Sequence, residues 1–186
     1  MNTSRRAVLI VAVLLVNFSI GRGDATSPSP TQKSSPPPEL ERLLKSLVGR
    51  WSIKENDSPG KVRTGEEVWR MQPGGGPLTE EYHSKGSDRK EAYDFAAIWW
   101  DAKANQYEGI FCADFSDEFC SAFAIMSAGP DKIEMTGTYL DAGKEVFWRE
   151  IFQITASNSF TQVLELGPST AELKAVSTIH ATKSSK

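Results

Sequence analysis

The chain has 186 residues, of which 39% are apolar, 10% aromatic and 24% charged. That composition excludes a collagen, an intrinsically unfolded chain and a polytopic membrane protein, and it leaves room for one domain with a sizeable core. The net charge is −3; setting aside residues 1–38, and with them Arg5, Arg6, Arg22, Lys33 and Asp24, leaves 17 basic against 23 acidic side chains, net −6. A domain that acidic, with no basic run, is not built for a phosphate backbone, so nucleic acid is excluded as a partner.

Arg5 and Arg6 precede ten uninterrupted apolar residues, Ala7 to Val16, and small or polar residues follow at Ser19, Gly21, Gly23 and Ala25. A positive start, a short apolar run and a small-residue zone read as a secretory signal peptide over residues 1–24, with cleavage after Gly21 and after Ala25 both open. The run is about half of the roughly 20 residues a spanning helix needs, so no membrane span is expected after cleavage; an uncleaved anchor reaching Ile20 is the alternative. Paired arginines here also resemble a twin-arginine export signal. The expected location is therefore exported, periplasmic or secreted. Residues 25–38, ATSPSPTQKSSPPP, hold five of the ten prolines and read as a linker, because proline lacks a donor and serine competes for backbone bonds.

Residues 39–186 read as one all-β domain behind a short helix. Leu40, Leu43, Leu44 and Leu47 fall at i, i+3, i+4 and i+7, one apolar stripe on a helix over 39–47 that Gly49 can stop. From there the pattern becomes strands, at 50–55, 62–71, 78–85, 92–100, 106–113, 119–127, 132–140, 145–155, 160–166 and 171–182. Pro59, Pro73, Pro77, Pro130 and Pro168 all fall between them, where a missing donor costs no ladder bond. Connections this short exclude parallel crossovers, so sequence neighbours should pair antiparallel. About ten such strands should close into an up-and-down barrel, because an open sheet leaves two edges. Alternation puts Tyr93, Phe95, Ala97 and Trp99 on one face of their strand, and Tyr107, Gly109, Phe111 and Ala113 on one face of the next. Ile133, Met135, Gly137 and Tyr139 likewise share a face. Val146, Trp148, Phe152 and Ile154 share a face with Glu150; which side Arg149 takes is left open.

A short helix leading into Gly49-Arg50-Trp51 and an antiparallel meander resembles the calycin superfamily of lipocalins and fatty-acid-binding proteins. The strings LLKSLVGRW, PGGGPLTEEY, WWDAKANQYEGIF, GTYLDAGKEVFWREIFQI and STIHATK are together similar to a bacterial lipocalin-like family catalogued as a domain of unknown function, over residues 39–183. The resemblance implies a small closed β-barrel with a helix over one end, structural roles for Gly49 and Trp51, and no assigned catalytic residue. Cys112 and Cys120 stand outside that family pattern.

In an oxidising compartment Cys112 and Cys120, which enclose seven residues at a hairpin tip, read as a disulfide, with buried free thiols as the alternative. Two cysteines without a nearby histidine make no zinc site, and no metal is expected. His83 and His180 are isolated. His180 as a haem ligand would need an apolar pocket that no motif establishes, so no cofactor is expected. No nucleophile elbow or metalloprotease string occurs, and no feature sets an oligomeric state.

Two functions compete. In the leading one the barrel holds a small hydrophobic ligand, with Tyr82, Phe95, Phe111, Phe123 and Trp148 on its walls and Arg149 available to neutralise a carboxylate head; the same aromatics filling a dry core is the alternative. In the other, an extracytoplasmic enzyme uses a barrel carboxylate, Glu66 or Glu80, with Tyr82 or His83 for general acid–base chemistry. No catalytic residue is assigned, and the missing motifs place the enzyme second.

Overall fold

The leucine stripe at residues 40–47 forms the helix it predicts, α1 (Pro38–Leu47), and all four leucines are buried. Proline at the first helical position costs no bond, because that N–H has no partner in the helix, and Lys45 pairs with Glu41 one turn back at 2.7 Å. The chain is described by a computed structural model over residues 34–57, 61–88, 90–114 and 119–184. The expected signal peptide, and the linker up to residue 33, lie outside these residues. The last linker residues lie against the barrel: Ser34 donates to the Ala102 carbonyl at 2.8 Å and accepts from Trp100 Nε1 at 3.0 Å.

Ten strands follow: β1 (Gly49–Asp57), β2 (Lys61–Met71), β3 (Leu78–Gly86), β4 (Glu91–Asp101), β5 (Gln106–Ala113), β6 (Cys120–Gly129), β7 (Lys132–Asp141), β8 (Lys144–Ala156), β9 (Ser159–Gly167) and β10 (Lys174–Lys183). Each pairs antiparallel with its sequence neighbour, and β10 returns to β1, with Trp51 opposite Lys183 and Ile53 opposite Ala181. The barrel is therefore closed and has no edge strand.

The helix end of the barrel is filled. Trp51 packs edge-on against Phe160 with centroids 4.8 Å apart, and Phe152 joins Phe160 to Trp69. Trp51 donates from Nε1 to the Leu47 carbonyl at 2.7 Å, which ties α1 to β1. Gly49, between them, has φ +146°, and a Cβ there would meet the Lys183 side chain. Both residues thus have the structural setting expected of them: a buried aromatic anchor and a turn that only glycine takes without strain. At the other end of the barrel, Cys112 and Cys120 face each other across β5 and β6 and are joined by a disulfide.

Candidate functional site

Side chains alternate in and out along a strand, so one register choice decides what the interior contains. On β5 and β7 the apolar faces read from alternation point inward, and on β8, where the sequence left the choice open, it is the face of Trp148 and Phe152 that does, with Glu150 between them. On β4 the expectation reverses. Ala92, Asp94, Ala96 and Ile98 point inward, because Asp94 pairs with Tyr82 and Ala96 with Glu80 on the inward face of β3. Tyr93 and Trp99 are left 48% and 38% exposed outside. Phe95 therefore does not line the interior; its cross-strand partners on the outer face are Glu81 and Cys112.

The half of the barrel away from α1 is hollow, with a cavity of about 540 Å³. Its two sides differ in chemistry. One is apolar and comes from β5 to β9: Phe111, Phe123, Met135, Trp148, Leu164 and Leu166. Trp148 fits because β7 carries Gly137 opposite it; a Cβ there would lie 2.8 Å from the indole ring. Gly109 makes the same allowance for the Phe123 ring. The other side is acidic: Glu55 from β1, Glu67 from β2, Glu80 from β3 and Asp94 from β4 line the cavity there, and Glu150 joins them from within the apolar arc, on β8 between Trp148 and Phe152.

Among the described residues only one of these five carboxylates has a cation. Glu55 faces Arg63 at 3.6 Å and accepts from Tyr82 at 2.5 Å and Ser177 at 2.7 Å. Glu67, 1% exposed, accepts from Trp69 Nε1 through Oε1, while its Oε2 has no hydrogen-bond partner. Glu150 accepts from Gln162 Nε2 at 2.5 Å, and Gln162 Oε1 is likewise without a partner. Glu80 and Asp94 share a hydrogen bond. No ion pair to Glu67, Glu80, Asp94 or Glu150 occurs among the described residues.

Burial away from water penalises the charged form of each of these four groups. It pushes Glu67 up to about 8 and Glu150 to about 7, with the charge of Glu150 adding to the rise at Glu67. Glu80 and Asp94 are raised well above the ordinary carboxylate range, first by burial and then by neighbouring acids. Burial and the Glu55 carboxylate together hold the Tyr82 phenol in its protonated form. Among the described residues no three His, Cys, Asp or Glu side chains are placed to hold a metal ion.

Of the wall residues expected from sequence, the structure brings Tyr82, Phe111, Phe123 and Trp148 together on the cavity. Arg149 is not among them. It lies on the outer face of β8, opposite Glu165 on β9, and pairs with that carboxylate at 2.6 Å. The expected acid pair is also revised. Glu66 is exposed and paired with Arg50, and it is Glu67, one residue on and so on the opposite face, that shares the interior with Glu80. His83 stacks on Tyr93 outside the barrel, and His180 is exposed on β10, so neither reaches the cavity. Glu67, Asp94, Glu150, Gln162 and the inward role of Glu55 were missed as site residues. The signal for Glu67 was its period-2 spacing from Trp69, a residue that seeks burial.

No protein-family model matches the chain, and no curated protein is similar to it. Solved structures are similar in fold. Rv2717c from M. tuberculosis aligns over 81% of this chain and 99% of its own, with 15% identity and a TM-score of 0.55. A redesigned β-barrel, mFAP1, bound to DFHBI aligns over 76% of this chain and 99% of its own, with 12% identity and a TM-score of 0.44. The closed ten-stranded barrel fits the lipocalin-like architecture read from the sequence.

Proposed function

We propose that this protein is an exported carrier whose barrel holds one small molecule with an apolar body. The observation behind this reading is the hollow half-barrel, about 540 Å³, walled on one side by Phe111, Phe123, Met135 and Trp148. That volume lies within the range of small-molecule sites, and aromatic walls with a few convergent polar groups are their common chemistry. Binding is passive: apolar surface leaves water at about 25 cal/mol per Å², and the polar wall fixes orientation. Trp69 and Trp148 line the cavity, so titration of a small apolar probe such as 1-octanol should quench intrinsic fluorescence saturably at one equivalent. A folded protein that binds no probe would end this reading.

Export rests on the signal-like residues 1–24 and on the Cys112–Cys120 disulfide, which belongs to an oxidising compartment. Thiol alkylation of protein taken directly from its host should label neither cysteine until reductant is added.

One observation favours the enzyme as a second reading: Glu80 and Asp94 share a hydrogen bond inside the cavity, the form of a carboxylic acid beside a carboxylate. Under it, an activity found by screening would fall at least a hundredfold in Glu80→Gln. Unchanged turnover in that variant would remove it.

A further inference from the structure

The chamber wall is rich in carboxyl groups and poor in cations, and this deepens the carrier reading on which it rests. Most of the nitrogen and hydroxyl donors of the polar wall are already engaged. Arg63 gives its Nε to Ser84 at 2.9 Å and reaches the Lys90 carbonyl at 3.3 Å. Trp69 is used by Glu67, Tyr82 and Ser177 by Glu55, and Gln162 Nε2 by Glu150. Three buried atoms on the chamber are left without a partner among the described residues: the acceptors Glu67 Oε2 and Gln162 Oε1, both on side chains more than nine-tenths buried, and one donor, Trp148 Nε1, on the apolar arc. A buried polar atom without a partner costs stability until something supplies one.

Charge points the same way. Five carboxyl groups line the chamber against the single guanidinium of Arg63, and at the rim Lys90 stands beside Glu91 and Asp114. A carboxylate ligand entering this chamber finds one guanidinium, already facing Glu55, and meets like charge wherever a wall carboxyl ionises. A protonated primary amine carries three N–H donors, a secondary one two, and neither has an acceptor; such a group supplies a positive charge and the partners that Glu67 Oε2 and Gln162 Oε1 lack. Its apolar remainder then faces Phe123, Met135 and Trp148 across the chamber.

We infer that the ligand is a primary or secondary amine on an apolar body, bound as the ammonium ion between Glu67, Glu150 and Gln162. As the ammonium docks, a neighbouring carboxylic acid gives its proton to solvent, so binding releases protons and strengthens with pH. The titratable and charged groups of the chamber are Glu67 on β2, Glu80 and Tyr82 on β3, Asp94 on β4 and Glu150 on β8, together with the Glu55–Arg63 pair, Tyr139, Lys90, Glu91 and Asp114.

The test is calorimetry on the full chain with three probes of one length, n-octylamine, 1-octanol and octanoate, at pH 8 and pH 5.5. Octylamine should bind at least about tenfold more tightly than either of the others at pH 8, since hydrogen bonds to charged groups are the strong ones. That margin should shrink at pH 5.5, and the heat at pH 8 should vary with buffer ionisation enthalpy, reporting proton release. Glu67→Gln and Glu150→Gln should each weaken octylamine at least about fivefold and leave octanol within about twofold, because each removes charge and keeps shape. Octanol or octanoate binding as tightly as the amine would overturn the inference and leave the carrier standing. An amine preference that survives in both variants would also overturn it. If no probe binds to the folded barrel, the inference and the carrier reading fall together.

Discussion

The Glu67→Gln variant should be more stable than the parent protein, by an amount that grows with pH. The unfolded chain gives up this proton near 4.5, whereas the folded barrel holds it until about 8. Between those values the folded state binds more protons, so stability falls as pH rises through the window and is fully present below it. At pH 7 the unfolded side chain is ionised and the folded one still protonated, two and a half pH units above the unfolded value, which costs about 3 kcal/mol at 1.4 kcal/mol per unit. At pH 5 the same arithmetic leaves a cost below about 1 kcal/mol. Glutamine keeps the acceptor that Trp69 uses and has no proton to lose. Urea unfolding of parent and variant at pH 5, 7 and 8 should therefore show midpoints that nearly coincide at pH 5 and separate by about 2–3 kcal/mol at pH 7. The Glu67 charge also raises Glu80, so Glu67→Gln and Glu80→Gln should combine non-additively. Parallel pH profiles for parent and Glu67→Gln would refute the burial of this carboxyl as an acid.

Four other outcomes follow from single contacts. Gly137→Ala places a methyl group 2.8 Å from the Trp148 ring and should destabilise by about 1–3 kcal/mol while altering the tryptophan emission spectrum; an unchanged melting curve would contradict the close approach. The Cys112→Ser, Cys120→Ser pair opens a short hairpin loop and should lose about 2.5 kcal/mol in chemical unfolding, the loss matched by reductant on the parent protein. Trp51→Phe removes the bond to the Leu47 carbonyl that holds α1, so amide exchange in α1 should rise and stability fall by about 1–3 kcal/mol; protected α1 amides would count against it. Glu66→Gln breaks only an exposed pair with Arg50 and should stay within about 0.5 kcal/mol of the parent, where a large change would place Glu66 inside after all.

The fold was legible because punctuation and periodicity agree along the whole chain. Pro73, Pro77, Pro130, Pro168 and the glycine triplet 74–76 fall in the connections, every strand lies within three residues of its expected bounds, and the leucine stripe is one face of α1. The acidic wall was legible only in part. On β8, Glu150 sits in phase with Trp148 and Phe152, but apolar residues on both faces left its direction open. On β2 the phase was ambiguous, and on β4 a clear alternation pointed the wrong way. Glu66 and Glu67 are adjacent, with apolar residues on both faces of β2, and β4 carries aromatics on its outer face. Tyr93 is covered there by His83, stacked at 4.4 Å, and Phe95 lies beside the disulfide strand. Those outer aromatics outweighed Asp94 in the alternation pattern. Only the register with β3 decides the matter, and register is a property of pairs of strands that a single-strand pattern does not contain.

The interior divides energetically where it divides spatially. Beside α1 the aromatics Trp51, Trp69, Phe152 and Phe160 fill the space, and burial there stabilises the fold. In the open half the barrel keeps a void and sets Glu67, Glu80, Asp94 and Glu150 around it, each in a setting that opposes its charge. Apolar side chains of similar volume would remove that cost, so the wall weakens the unliganded barrel as pH rises. A bound cation reverses the balance, because it favours the ionised form that burial disfavours. Ligand binding and stability thus draw on one set of groups with opposite pH trends. The unliganded protein should melt at lower temperature at pH 8 than at pH 5.5, and saturating octylamine should raise the melting temperature more at pH 8 than at pH 5.5. An octylamine shift of equal size at both pH values would show that the amine, wherever it binds, does not meet these carboxylates.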